Sequence, residues 1–102
     1  MIASNGFSEP AESAVIYAGD YLNKLSGEQI EHECKLRLAD GCTELVVDFS
    51  QTELVNSVGI SILLGIIDAA ATKGAKVTFT EVNDSTVELF DMLGVTRHVN
   101  VA

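Results

Sequence analysis

Positive charge is scarce in this chain: six lysines and arginines stand against fifteen aspartates and glutamates, for a formal net charge of -9. A surface so acidic repels phosphate backbones and anionic lipid, so neither nucleic acid nor membrane is an expected partner. Cysteine is rarer still. Cys34 and Cys42 lack Cys-x-x-Cys spacing, which leaves no disulfide framework or metal site to expect. Histidine occurs only at 32 and 98, and neither belongs to a motif that ties it to a serine, so a hydrolase triad is not expected. Asp48 and Glu53 read as solvated carboxylates at a strand end and turn, and Gly41, Gly59 and Gly65 lack phosphate-loop spacing. No enzyme activity and no cofactor are expected. The longest apolar stretch, within 58–71, is broken by Ser61, Gly65 and Asp68 and falls short of the roughly 20 residues a spanning helix needs. Met1-Ile2-Ala3-Ser4-Asn5 has neither a basic patch nor an apolar core, so no signal peptide is visible and the cytoplasm is the expected address.

With one proline, 47% hydrophobic and 21% charged residues over 102 positions, the chain reads as one globular domain, 1–102. Residues 1–13, polar and containing Gly6 and Glu9-Pro10, read as weakly ordered or as an edge strand. Ser13 to Ala18 is a short apolar run suited to a strand buried on both faces. A helix over 27–39 follows, with Ser26 and Gln29 at capping-box spacing and Leu25 with Ile30 as a hydrophobic staple. Ile30, Cys34 and Leu38 form its buried stripe, and Asp40-Gly41 ends it. Residues 44–49 and 76–80 are continuous strands joined by a long helix, a unit that makes them parallel. Asn83-Asp84-Ser85 with Glu88 opens a last helix whose apolar side is Val87, Leu89, Phe90 and Leu93, stopped by Gly94; 97–101 is a final strand. The expected architecture is a single α/β domain with a mixed, mostly parallel sheet of four or five strands and helices mainly on one side. No internal repeat is visible.

The passage around which this order turns is Asp48-Phe49-Ser50, a polar spacer, then Val55-Asn56-Ser57-Val58-Gly59-Ile60 opening the long helix. Ser57 at the helix start reads as an N-cap, and a hydroxyl there can also carry a phosphate that the helix dipole tolerates; the two roles are compatible. Along the helix, Ile60, Leu63, Leu64, Ile67 and Ala71 converge on a core stripe, and Ser61, Gly65, Asp68 and Thr72 on a solvent stripe. Val58, Ile62 and Ala69, with Ile66 beside them, form a third set that nothing in a two-layer domain obviously covers. Either a partner docks there, with Gly65 admitting its backbone, or the C-terminal segment or a second copy covers the face.

These motifs, in this order, resemble the STAS domain of bacterial anti-sigma-factor antagonists, whose pattern runs Asp-Leu-Ser, spacer, hydrophobic-Asp-Ser-Ser-Gly-hydrophobic. The resemblance extends from about Ala14 to Val99, including Gly19-Asp20 and Leu89-Phe90-Asp91-Met92-Leu93-Gly94-Val95. Ser57 falls on the serine that a partner kinase phosphorylates and Gly59 on the glycine; Asn56 and Asn23 stand where aspartates are usual. The resemblance implies a first antiparallel strand over 1–8 and a function as an anti-sigma-factor antagonist. Its partners would be an anti-sigma factor or serine kinase of the histidine-kinase-like ATPase fold, and a PP2C-type phosphatase that resets the switch. It implies Ser57 as phosphoacceptor and Asn23, Asn56, Ser57, Val58, Gly59, Ser61, Ile62, Gly65 and Ile66 as partner-binding residues. The alternative is a non-switching STAS module that scaffolds a larger complex or senses a ligand.

Overall fold

A computed structural model describes residues 13–102. Four strands form one sheet in the order β1 (Ser13–Tyr17), β3 (Glu44–Asp48), β5 (Lys76–Thr80) and β6 (Asn100–Val101), every neighbouring pair parallel. Ser13 pairs with Glu44, Glu44 with Lys76 and Thr78 with Asn100. The crossovers are α1 (Lys24–Ala39), α2 (Ser57–Thr72) and α3 (Asp84–Met92), the last followed by a 3-10 turn, Val95–Arg97. Because each step moves the same way across the sheet, right-handed crossovers send all three helices to one face. The buried side chains agree: Ile16 and Ala18, Leu45, Val47 and Phe49, and Val77 and Phe79 all lie inside. An α/β domain with a parallel sheet and helices on one side is thus as the sequence leads one to expect; the antiparallel strand expected over 1–8 lies outside the described residues.

β1 departs from expectation. It alternates instead of being buried on both faces, with Val15 51% and Tyr17 67% exposed. Helices on one side leave only one face of a strand to bury, so period-two exposure follows. The final strand is also shorter than 97–101, because Gly94 in the left-handed region (φ 79) starts the 3-10 turn that consumes Val95–Arg97.

α1 keeps its expected stripe, with Ile30, Cys34 and Leu38 buried, but it begins earlier than 27. Asn23 is the N-cap, and Ser26 and Asn23 form a reciprocal capping box; Leu25 is 67% exposed, so the expected staple is absent. Asn supplies a better-placed oxygen three residues before the Ser26 N–H than Ser26 could for Gln29. Both cysteines are buried; burial, followed by the charge of Glu33, pushes the Cys34 thiol up to about 12, which makes it unreactive.

An aromatic cluster fixes α3 and the upper end of the sheet. Phe49, Phe79 and Phe90 stand with ring centroids 5.1 to 5.8 Å apart, and the Phe49 N–H donates to Thr80 O at 2.9 Å. Offset or edge-on rings at this spacing are attractive beyond their buried area. The cluster anchors the start of the loop 49–56, which leads to Ser57. Of the apolar positions expected on α3, Phe90 is buried, whereas Leu93 is 49% exposed, since this short helix ends before that residue returns to the core.

Candidate functional site

Between β1 and α1, and again between β3 and α2, the chain makes a two-residue strand: β2 (Tyr21–Leu22) and β4 (Leu54–Val55), paired parallel to each other outside the main sheet. Tyr21 lies opposite Leu54 and Leu22 opposite Val55. The loop entering this ribbon is pinned by the Thr52 hydroxyl donating to Gly19 O at 2.6 Å and by the Glu53 and Leu54 N–H groups donating to Asp20 O. The Asn56 N–H then donates to Leu22 O at 2.8 Å. The register therefore brings Asn23 and Asn56 side by side, each the N-cap of a sixteen-residue helix.

Asn56, and not Ser57, caps α2: its Oδ1 accepts from the Gly59 N–H at 2.8 Å. The cap must carry its oxygen on extended backbone (here φ -108, ψ 167), and Ser57 already lies within the helix. Ser57 is exposed, and among the described residues no hydrogen bond engages its hydroxyl. It sits in the first turn, where the unpartnered N–H groups and the dipole favour negative charge.

Gly59 is buried, and the reason is steric. A Cβ there would lie 2.8 Å from Leu22 O and from Leu22 Cγ, so only glycine lets α2 start against the ribbon. The expectation that Gly59 faces a partner gives way to this internal role.

The third apolar set on α2 is not bare. Ile66 is 1% exposed and Ile62 is half-buried, because α1 lies along that flank; Gly27 of α1 leaves the space into which Ile62 reaches, a Cβ there falling 3.0 Å from Ile62 Cδ1. Helical phase identifies a stripe, but not which neighbour covers it. Ile62 and Ile66 therefore belong to the α1–α2 packing. Val58, 46% exposed, is the member of the set that remains at the surface beside Ser57. Ser61 and Gly65 continue the exposed side of α2, and a Cβ at Gly65 would meet only Glu31 Oε2 at 3.9 Å, so packing within the chain does not demand glycine there.

Three further residues that sequence reasoning did not assign to the candidate site lie on the same strand ends and helix starts. Tyr21 is 40%, Leu25 67% and Leu54 62% exposed, and with Val58 they stand two residues before or after the two asparagine caps. A signal for them does exist in the sequence: Tyr21-Leu22-Asn23-Lys24-Leu25 and Leu54-Val55-Asn56-Ser57-Val58 share one pattern, two apolar residues, asparagine, any residue, apolar. Each half is a strand end, a cap and a first turn. Lys24 in the first copy occupies the position that Ser57 holds in the second.

Asp48 accepts from the Ser50 N–H at 2.7 Å in an Asx turn, and hydrogen bonds from the Ser50 hydroxyl and then its N–H hold the carboxyl below its usual range. The carboxylate thus shapes the loop. His32 is exposed on α1 and His98 is exposed after the 3-10 turn. No group of three or more His, Cys, Asp or Glu side chains could hold a metal among the described residues.

One-way βα winding, with a small ribbon seating two helix starts beside a surface serine, defines an α/β domain of the STAS type. The chain belongs to that family: residues 6–101 match the family model described as "Mlab, STAS domain". No curated protein matches the chain. Among solved structures, the anti-sigma factor antagonist SpoIIAA in its unphosphorylated form superposes with TM-score 0.73 at 16% identity, covering 93% of this chain and 83% of that one. The Bacillus cell fate determinant SpoIIAA in the phosphorylated form gives 0.70 at 18%, covering 90% and 84%. The STAS domain of a SulP transporter from Vibrio cholerae gives 0.73 at 20%, covering 92% and 75%. At these identities the likeness is one of fold. No helix among the described residues is long and apolar enough to cross a membrane.

Proposed function

We propose that this chain is a cytoplasmic binding domain of the anti-sigma-factor-antagonist kind, whose docking surface is switched by phosphorylation of Ser57. The observation that carries the reading is the idle, exposed Ser57 hydroxyl in the first turn of α2, with Tyr21, Leu25, Leu54 and Val58 exposed on the paired strand ends and helix starts. Side chains of this kind bury well against a partner, and Ser61 and Gly65 extend the face along α2 with little bulk in the way. A phosphate on Ser57 adds about -1.5 to -2 charges beside the helix dipole, so the fold tolerates it. A docked partner does not, because the dianion must be desolvated on docking. The residues act by binding and release, and none is assigned a catalytic step. The partner is an anti-sigma factor or serine kinase of the histidine-kinase-like ATPase fold, and a PP2C-type phosphatase restores the free hydroxyl. Similarity to SpoIIAA, solved in both unphosphorylated and phosphorylated forms, supports this reading.

The test is incubation with the cognate kinase and ATP, followed by mass spectrometry and binding measurements on Ser57 variants. Label on Ser57, binding retained by Ser57→Ala and weakened about tenfold or more by Ser57→Asp are expected. Label on another residue overturns the site. A second reading, a non-switching module within a larger assembly, draws on the similarity to a transporter's STAS domain. Tight partner binding indifferent to Ser57→Asp would establish it instead.

A further inference from the structure

The face of the sheet turned away from the helices has no described helix over it. Strand alternation turns Val15 and Tyr17 of β1, Glu44 and Val46 of β3, and Lys76 and Thr78 of β5 toward it. Val15 and Tyr17 are exposed, and Val46 and Thr78 are half-buried by their neighbours in the sheet. Register sets these side chains in rows: Val15, Val46 and Thr78 lie across one, and Glu44 stands beside Lys76 in another. A sheet whose strands all run parallel is ordinarily covered on both faces, so half of the usual covering is missing here. Charge separates this face from the rest of the molecule. Glu44, Asp48 and Lys76 give it a net charge of -1, whereas the chain carries -9. Among the described residues the ion pairs are Lys35 with Glu31 and Arg37 with Glu33, both on α1, so Glu44 and Lys76 are neighbours by register and still not paired with each other.

We propose that a second copy of this chain packs on the open face, sheet against sheet, as a weak symmetric dimer. The occupant follows from the charges, because Glu44 and Lys76 make the face complementary to itself. A two-fold axis running along the strands between β3 and β5 sets Glu44 of each copy over Lys76 of the other, and Val46 over Thr78. Two acidic chains repel one another at most approaches, and this nearly neutral face is where that repulsion is least. The sheet is about 19 Å wide across four strands and about 17 Å long over five residues. That is a small footprint, at the low end for a specific interface, and it sets an expected dissociation constant of about 10 to 300 µM. Ser57 and the helices then lie on the two outer surfaces. Dimerisation is therefore independent of Ser57 phosphorylation, and the pair presents two docking faces to a bivalent partner.

The test is sedimentation equilibrium of the full chain between about 5 µM and about 1 mM, with methyl spectra recorded on dilution. A monomer–dimer equilibrium is expected, with dilution shifts at the methyls of Val15, Val46 and Thr78 and none at Val58. Lys76→Glu sets carboxylate against carboxylate at both contacts, and Glu44→Lys sets ammonium against ammonium, so each should weaken association about tenfold with an unchanged thermal midpoint. An equimolar mixture of those two variants should associate about as tightly as the original chain, because every contact then joins opposite charges. Tyr17→Asp, at a side chain that is already exposed, should also weaken association and leaves the charge pair untouched. A chain that stays monomeric at about 1 mM, variants that associate like the original, or a mixture no tighter than its components would overturn the proposal. So would dilution shifts at Val58 in place of Val15 and Val46, or contacts from residues 1–12 to Val15 and Val46 within the monomer, which would give the face to that segment.

Discussion

Helices α1 and α2 begin almost alike and end up in different employment. Both leave the β2–β4 ribbon at an asparagine whose side-chain oxygen accepts from the backbone N–H three residues on. In α1 the serine is that third residue, and its hydroxyl is fully engaged: it accepts from the Asn23 N–H at 3.0 Å and donates to Tyr21 O at 2.7 Å. In α2 the third residue is Gly59, pressed against Leu22, and the serine has moved to the first position, where nothing in the described chain uses it. A two-place shift of one hydroxyl separates a structural cap from a group free to be modified. The difference also teaches that a serine at a helix start is not informative until its position relative to the cap is known.

The comparison can be broken most severely at the glycines. Gly59→Ala should destabilise the chain by about 1–3 kcal/mol in denaturant melts, because the atoms it meets include the Leu22 backbone O and C, which cannot yield. Gly27→Ala, which meets only the Ile62 side chain, should cost less, since the nearest atom, Ile62 Cδ1 at 3.0 Å, can swing aside while Cβ and Cγ2 lie at 3.4 and 3.5 Å, and alanine favours the helix. Equal costs would show that the two helix starts are seated alike. Next come the caps: Asn56→Ala and Asn23→Ala should each lose about 1 kcal/mol, Asn23 more because its oxygen also faces the Ser26 hydroxyl at 3.2 Å.

The serines sharpen the contrast at smaller scale. Ser26→Ala should cost about 1 kcal/mol, leaving the Tyr21 carbonyl and Asn23 N–H without their partner, whereas Ser57→Ala should stay within about 0.5 kcal/mol. A substantial loss at Ser57 would mean its hydroxyl is structural after all. The least effect is expected at Asp48. Its folded carboxyl lies below the usual range, so the Ser50 turn contributes stability above the unfolded carboxylate range and loses it as pH falls through the folded value. Asp48→Asn should therefore narrow the difference in thermal midpoint between about pH 7 and about pH 3.

Much of the fold was legible because it rests on local signals. The stripe Ile30, Cys34 and Leu38, the strands 44–48 and 76–80, and the glycines that end helices at 41 and 94 all follow from period and turn chemistry. The ribbon was not legible: two residues per strand are too few to carry a period, and their pairing joins segments far apart in sequence. For the same reason Tyr21, Leu25 and Leu54 were left out of the candidate site, for which Ser57, Val58 and the two asparagines were named. The covering of Ile62 and Ile66 was hidden because it depends on which helix lies beside α2, a tertiary fact that a helical wheel does not contain.

The strand order has a consequence for how the molecule is made. Since β3 adds beside β1, β5 beside β3 and β6 beside β5, no strand among the described residues has to insert between two already in place. The sheet can grow from one edge as the polypeptide leaves the ribosome, each βα unit finding its template already formed. The two-residue β6 is then the final addition, and it closes the growing edge only after the serine at the other end of α2 is in position.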